Sequence, residues 1–167
     1  MFNRFLKLAC TLAVAFMATG LVGCSASPKK FDVDVSIDPD LKAFTVPVDI
    51  IGVNNEADLP SWQNMDVDKY FAAGNDKRAG AKKYEMRFTP GGPDHMTLLA
   101  TDKIWDEWNK PTNIVIFAQI PQYAGDRGSG DQRRKVLATM SDTWAEDKLV
   151  IVVRKSGLEV RTPQKKK

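Results

Sequence analysis

The sequence predicts a mainly β domain, a β-sandwich carrying two short helices. Three observations lead there. Seven or eight short segments either alternate apolar with polar residues or run apolar throughout, with many β-branched and aromatic side chains. Pro-, Gly- and Asp-rich turns separate them at short intervals. No sustained strand–helix–strand alternation and no internal repeat runs through the chain.

Phe31, Val33, Val35 and Ile37 alternate with Asp32, Asp34 and Ser36, the period of a strand with one face in the core. Asp38-Pro39-Asp40 ends it as a turn. A second strand is expected over residues 44–53, where Pro47 lacks an N–H and so favours a sheet edge or a bulge. Residues 83–88 read as a third strand, and the turn Thr89-Pro90-Gly91-Gly92-Pro93 leads to a fourth at 95–100. Residues 113–120 (NIVIFAQI) are the most apolar stretch, expected as a central strand buried on both faces. Residues 134–139 are a further strand candidate. Residues 149–154 and 158–161 are expected to pair as a hairpin about Lys155-Ser156-Gly157, where Gly157 can take positive φ. One helix is expected at 67–73, capped by Asp66 and stopped by Gly74. The other is expected at 102–109, capped by Thr101 and with Pro111 beyond, its apolar face made by Ile104, Trp105 and Trp108.

The first 23 residues are of another kind. Arg4 and Lys7 precede an apolar run from Leu8 to Val22, broken only by Thr11, Thr19 and Gly20, and no acid occurs before Asp32. A basic start, an apolar run and a small residue before the cut mark a secretory signal peptide. The run is about fifteen residues, whereas a bilayer span needs roughly 20. Residues 25–30 (SASPKK) have no apolar anchor and read as a tether, and residues 162–167 read as a basic disordered tail. The expected organisation is therefore signal peptide 1–23, Cys24 with its tether to 30, a β-sandwich domain at 31–161, and the tail.

Residues 24–167 make one ordinary domain. Of the 24 basic residues, Arg4 and Lys7 leave with the signal and four more (Arg161, Lys165, Lys166, Lys167) lie at the C-terminus, so 18 remain in the body against 21 acids. This argues against nucleic acid as a partner, which requires a basic stripe on the domain. Cys10 lies in the signal, so Cys24 is the single cysteine of the exported chain and no thiol is left for a disulfide, a metal or catalysis.

Signals of chemistry are few. His95 is the sole histidine, and no G-x-S-x-G elbow surrounds a serine. Gly128-Ser129-Gly130 has too little context to be one. Asp32, Asp34, Asp38 and Asp40 lack the glycine and terminal glutamate of a calcium loop, and Asp32 and Asp34 are expected to face water. Gly91-Gly92 has no following Lys-Ser/Thr or helix, so it reads as a β-turn and not a phosphate cradle. Trp105 and Trp108 fit packing of their helix onto a sheet, while Trp62 is the tryptophan expected to be partly open to a contact. The loop 121–132 (PQYAGDRGSGDQ) is long for a hairpin connection, and two readings stand for it: recognition, or a mobile loop without a partner. No catalytic residue, metal or cofactor is assigned.

Two resemblances add to this. Leu21-Val22-Gly23-Cys24 resembles the lipobox of bacterial lipoproteins. It implies lipid on the Cys24 sulfur, cleavage before Cys24 and acylation of the new amino group, with cleavage before an unmodified cysteine as the other reading. Ser25, in place of Asp, implies the outer membrane by analogy with enteric sorting. The layout FDVDVSI at 31–37, VPVDIIGV at 46–53, DVDKYF at 66–71, TPGG at 89–92, NIVIFAQIP at 113–121 and LVIVVRKSGLEV at 149–160 resembles the outer-membrane lipoproteins of type VI secretion (the TssJ/SciN type). The chain departs from that layout in lacking a Trp-Arg pair after the apolar strand and in its 98–111 tract with two tryptophans. The resemblance implies a transthyretin-like sandwich, as against an immunoglobulin-like one. It also implies a protein-binding adaptor and no enzyme, whose partner is the periplasmic part of an inner-membrane secretion component. By position, the partner-binding residues would be Asp38, Pro39, Asp40, Leu41 and Lys42. The alternative function is a small periplasmic binding module or hydrolase for a cell-wall or sugar ligand.

Overall fold

The structure, a computed structural model, describes residues 26–128 and 130–166. The expected signal peptide and Cys24 lie outside the described residues. Eight strands form two sheets of four, so the β-sandwich expectation holds. The first sheet runs β4 (His95–Leu98), β1 (Asp32–Ile37), β7 (Lys148–Arg154), β8 (Gly157–Val160). In it β1 pairs parallel with β7, in register from Asp32 opposite Lys148 to Ile37 opposite Val153, and the other pairs are antiparallel. The second runs β3 (Lys83–Phe88), β2 (Val46–Val53), β5 (Asn113–Ala118), β6 (Arg134–Ala138), all antiparallel.

Alternation in β1 sends Val33, Val35 and Ile37 into the space between the sheets. There they meet Leu149, Ile151 and Val153 of β7 and Val48, Ile50, Ile114 and Ile116 of the second sheet. Each such side chain contributes roughly 1.5–3 kcal/mol when fully buried. The outward residues of β1 are hydrogen-bonded at the surface: Asp34 pairs with Lys148 at 2.6 Å, and Asp32 accepts the Ala100 N–H at 2.7 Å. They are not gathered into a cation site, and no group of three or more potential ligands occurs among the described residues.

β5 is central and buried on both faces, as its composition predicts. Ile114 and Ile116 point into the sandwich, while Val115 and Phe117 point to a second cluster on the outer face. Three short helices cover that face: α1 (Leu59–Gln63), α2 (Val67–Phe71) and α3 (Asp76–Gly80). Asp66 caps α2 by accepting the Lys69 N–H at 2.9 Å, as expected, but the helix ends at Phe71 with Ala72 extended, so Gly74, at φ +76°, lies in the following turn and is not the stop expected after residue 73. The expectation of two helices omits α1 and α3. Each is five residues long, too short for a periodic apolar stripe, and α3 is held by its Asn75 cap. α4 (Ile104–Glu107) is shorter than expected and starts after Lys103, with no side-chain cap from Thr101; Asp102 Oδ1 accepts the Ile104 N–H at 2.9 Å in the turn before it. Trp105 and Trp108 are both core residues.

Three further expectations are corrected. Pro47 lies in β2, which is central and not an edge strand. Its carbonyl accepts the Gln119 N–H at 2.9 Å just past the end of β5, so its missing N–H costs one bond at the extremity of the ladder. The tether expected at 25–30 is paired at residues 27–29: Lys29 N–H donates to Thr139 O at 2.7 Å and Ser141 N–H to Ser27 O at 3.0 Å. The tail expected to be disordered is docked as well. Thr162 is buried, with its hydroxyl bridging Val150 N and Lys148 O, and Lys165 N–H donates to Thr143 O at 2.9 Å.

The sandwich therefore has two distinct ends. At one, β1 begins and the tether, α4, residues 139–147 and the C-terminal segment gather. At the other, β1 ends, and the connections 38–45, 89–94, 119–133 and 155–156 crowd together.

Candidate functional site at the loop end

The segment proposed by position for partner contact opens this end. Asp38 accepts the Asp40 N–H at 3.2 Å and caps a 3₁₀ turn at Pro39–Leu41. Its own N–H donates to Val153 O at 2.9 Å, which fixes the turn to β7. Lys42 pairs with Asp94 at 2.8 Å and Lys155 with Asp40 at 3.2 Å, so the turn is tied to both neighbouring connections by exposed ion pairs. The Lys42 ammonium, with His95 second, holds the Asp94 carboxyl below the usual range. Of the five candidate residues, Leu41 does not belong to the surface: it is 0% exposed and part of the core. The turn shows water Pro39, Asp40 and Lys42 with part of Asp38, a polar face and not an apolar one.

The described residues of the loop at 121–132 make side-chain contacts with the body of the fold. Tyr123 is buried, its hydroxyl accepting the Gln132 N–H at 3.1 Å and donating to Asp126 O at 3.3 Å. Arg133, 2% exposed, stacks over the Tyr123 ring at 4.7 Å and binds Asp131 (3.0 and 2.7 Å) and Asp68 on α2 (2.6 Å). Arg127 also pairs with Asp68. Burial opposes the charge of Arg133, but the bonds to Asp131 and Asp68 outweigh it and raise its pKa. The Arg133 bond, with Arg127 second to it among the lowering contacts, brings Asp68 down to about 2. Gly157, at φ +126°, lies against Gln132 with no room for a Cβ, and so joins the hairpin to this loop.

Beside these residues lies a cleft of about 490 Å³ lined by Pro47, Asp68, Arg87, Gln119, Gln122 and Arg127 among others. Sequence reading missed this cluster. Asp131 and Arg133 sit two apart in the turn that leads into β6, the one local signal available, while Asp68 is 65 residues away from Arg133. A second buried network was missed too: Asp49 accepts from Tyr70 and from Arg78, each at 2.8 Å, beneath the helices. Burial first, then Asp49, holds the Tyr70 phenol far above its ordinary pKa, so it remains a neutral donor.

His95 is exposed, 3.5 Å from Asp94, and does not line this cleft. Trp62, expected to be partly open, is half-buried: it meets Tyr70 edge-on at 6.5 Å, and the Lys77 ammonium covers its ring at 4.1 Å.

No model of a known protein family matches the sequence, and no curated protein matches it significantly. Solved structures do match the fold. One is a chain from a structure of a type VI membrane complex, with TM-score 0.54 and 15% identity over 80% of this chain and 98% of that one. Another is the type VI secretion lipoprotein TssJ1 from Pseudomonas aeruginosa, with TM-score 0.52 and 10% identity over 83% and 99%. A third is a chain from a structure described as the TssM C-terminal domain (869–1107) from EAEC, with TM-score 0.50 and 16% identity over 78% and 98%. The sandwich is thus similar in fold to type VI secretion lipoproteins, as its layout predicted.

Proposed function

We propose that this chain is an envelope lipoprotein anchored through Cys24 in the outer membrane and facing the periplasm. As an adaptor, it would hold the periplasmic part of an inner-membrane type VI secretion component against its loop end. The observation that carries the reading is the polarity of the sandwich. The chain leaves Cys24 and joins the fold at Ser27, at one end, while the 38–42 turn stands at the opposite end, where a partner arriving from the inner membrane would meet it. The fold likeness to TssJ1 and to a chain of a type VI membrane complex supports placing it in such an assembly. Asp38, Pro39, Asp40 and Lys42 make the contact, and Leu41 serves it from within by anchoring the turn. Because the turn exposes charge, the partner surface is charge-complementary and the binding salt-sensitive. The action is binding and not catalysis: the lone histidine is exposed beside a single acid, with no nucleophile assigned to it.

The test is titration calorimetry of the Cys24→Ala chain against a TssM-type periplasmic domain from the same genome. Wild-type contact residues should give measurable binding. Asp40→Arg combined with Lys42→Glu should weaken it at least about tenfold, a loss of about 1.4 kcal/mol, without altering the melting temperature. Absence of binding, or binding indifferent to the double substitution, would refute the assignment.

A further inference from the structure

The end opposite the loops has its own unassigned surface. Among the described residues, Leu99 is the large hydrophobic side chain left exposed, at 53%. It follows directly on β4, whose Leu98 pairs with Val33 of β1, and so projects where the tether meets the fold. It is not a loose loop residue. Its carbonyl accepts the Trp105 indole N–H at 3.0 Å, and the next N–H, of Ala100, donates to Asp32 at 2.7 Å.

The leash is short. With Ser27 already hydrogen-bonded to Ser141, Ser25 and Ala26 alone separate it from Cys24. Three residue steps at about 3.6 Å keep Ser27 within about 11 Å of the Cys24 backbone. A domain held so close to an acyl anchor touches the headgroup layer. Its tether end contains a cleft of about 450 Å³ lined by residues 27–30, Trp105, Asp106, Lys110 and Pro111. Lys103 and Lys110 flank α4, exposed and without an ion pair to any of the described residues, and Lys30 pairs with exposed Asp106 at 2.6 Å, a pair that a phosphate can replace at little cost. Glu107, Asp142 and Glu146 are also exposed here, so charge does not define the face unaided. The leash and Leu99 supply its position and its apolar contact.

We propose that this end is a membrane-contact face, seated on an anionic phospholipid surface with Leu99 in the interface and Lys30, Lys103 and Lys110 on the headgroup phosphates. The proposal rests on the lipidation of Cys24. Interfacial seating of this kind combines buried apolar area with attraction to anionic lipid.

The test uses the full chain, expressed with its leader, purified as the lipoprotein and reconstituted into vesicles of phosphatidylethanolamine and phosphatidylglycerol. Leu99→Cys and, at the far end, Ser156→Cys each carry a polarity-sensitive fluorophore. The expected result is blue-shifted emission at position 99, quenched by nitroxide-bearing lipid, with water-like, unquenched emission at 156. Lys103→Glu with Lys110→Glu should reduce the quenching at 99, as should vesicles of phosphatidylcholine. Water-like emission at 99 in a chain whose Cys24 carries lipid by mass spectrometry would overturn the contact face and leave the anchor standing. Quenching at 99 that is equal in both vesicle types would overturn the anionic assignment. A Cys24 without lipid would overturn the anchor and this proposal together.

Discussion

The turn at 38–42 and the loop at 121–132 leave the same end of the sandwich, yet the shorter one keeps its charges at the surface, whereas the longer one, with Asp126 and Arg127 exposed, also buries Asp131 against Arg133. The short turn has a single buried anchor, Leu41, and exposed pairs at its margins. The long loop is fastened at several points: by the Tyr123 hydroxyl, by Arg133 between Asp131 and Asp68, and by Arg127 on Asp68. Its glycines let the backbone fold back on itself, and its buried cation then clasps α2 to the second sheet. Length and glycine content therefore do not by themselves tell which contacts a loop makes. What separates a surface available to a partner from one committed to the fold is where its charges find their counter-charges.

Removing the clasp should have the largest effect. Arg133→Met strands the Asp131 carboxylate, 0% exposed, without its cation, and is expected to cost about 3–5 kcal/mol in urea unfolding. Asp131→Leu added to it should restore a large part of the loss, since an apolar pair of similar volume leaves no charge buried. A loss below about 1 kcal/mol for the single variant would show that the loop does not hold the end together. Next comes the anchor of the short turn: Leu41→Ala is expected to cost about 3 kcal/mol, by lost burial and a residual cavity. The two variants should differ in partner binding, because Leu41→Ala loosens the proposed contact while Arg133→Met acts beside it.

A smaller effect depends on pH. The folded pKa of Asp68, about 2, lies below its ordinary value of 3.8. A depressed carboxylate stabilises the fold above about pH 4, and that contribution is lost as the pH falls toward 2. Asp68 is half exposed, so solvent screens the pair and the contribution at neutral pH is about 1 kcal/mol. Asp68→Asn should lower stability by that amount at pH 7 and converge with the parent near pH 2. Parallel denaturation series across this range would expose a gap that persists in acid, which would contradict the assignment.

The sheets were legible because their signal is local. Alternation in 31–37 and the apolar run at 113–120 each state which faces are buried, without reference to the rest of the chain. Pro47 misled for the converse reason: the rule concerns a missing donor, but whether that donor is needed depends on where the neighbouring β5 ends. The tether and tail looked free because SASPKK and TPQKKK have no large apolar residue to anchor them. They are fixed by backbone hydrogen bonds to residues 139–145 and by Thr162, which composition does not encode. Of the candidate site, the turn itself was legible and the burial of Leu41 was not, since PDL carries no periodicity. The Asp68–Arg133 pair joins residues 65 apart, and one sequence holds no record of such a meeting.

The smallest expected change in stability is the most useful one for the proposed contact. Asp40→Arg with Lys42→Glu alters charges that are exposed and whose partners, Lys155 and Asp94, are exposed as well. Such pairs contribute little in high dielectric, so unfolding should shift by no more than about 0.5 kcal/mol. The partner would feel the same substitutions fully, because a docked surface excludes the water that screens them. The short turn would then be the reverse of the long loop: altering it leaves the fold unchanged and weakens recognition. If instead the double variant unfolded as readily as Arg133→Met, the pairs Lys42–Asp94 and Lys155–Asp40 would be structural ties like those of Arg133, and the loop end would hold two clasps and no open surface at 38–42.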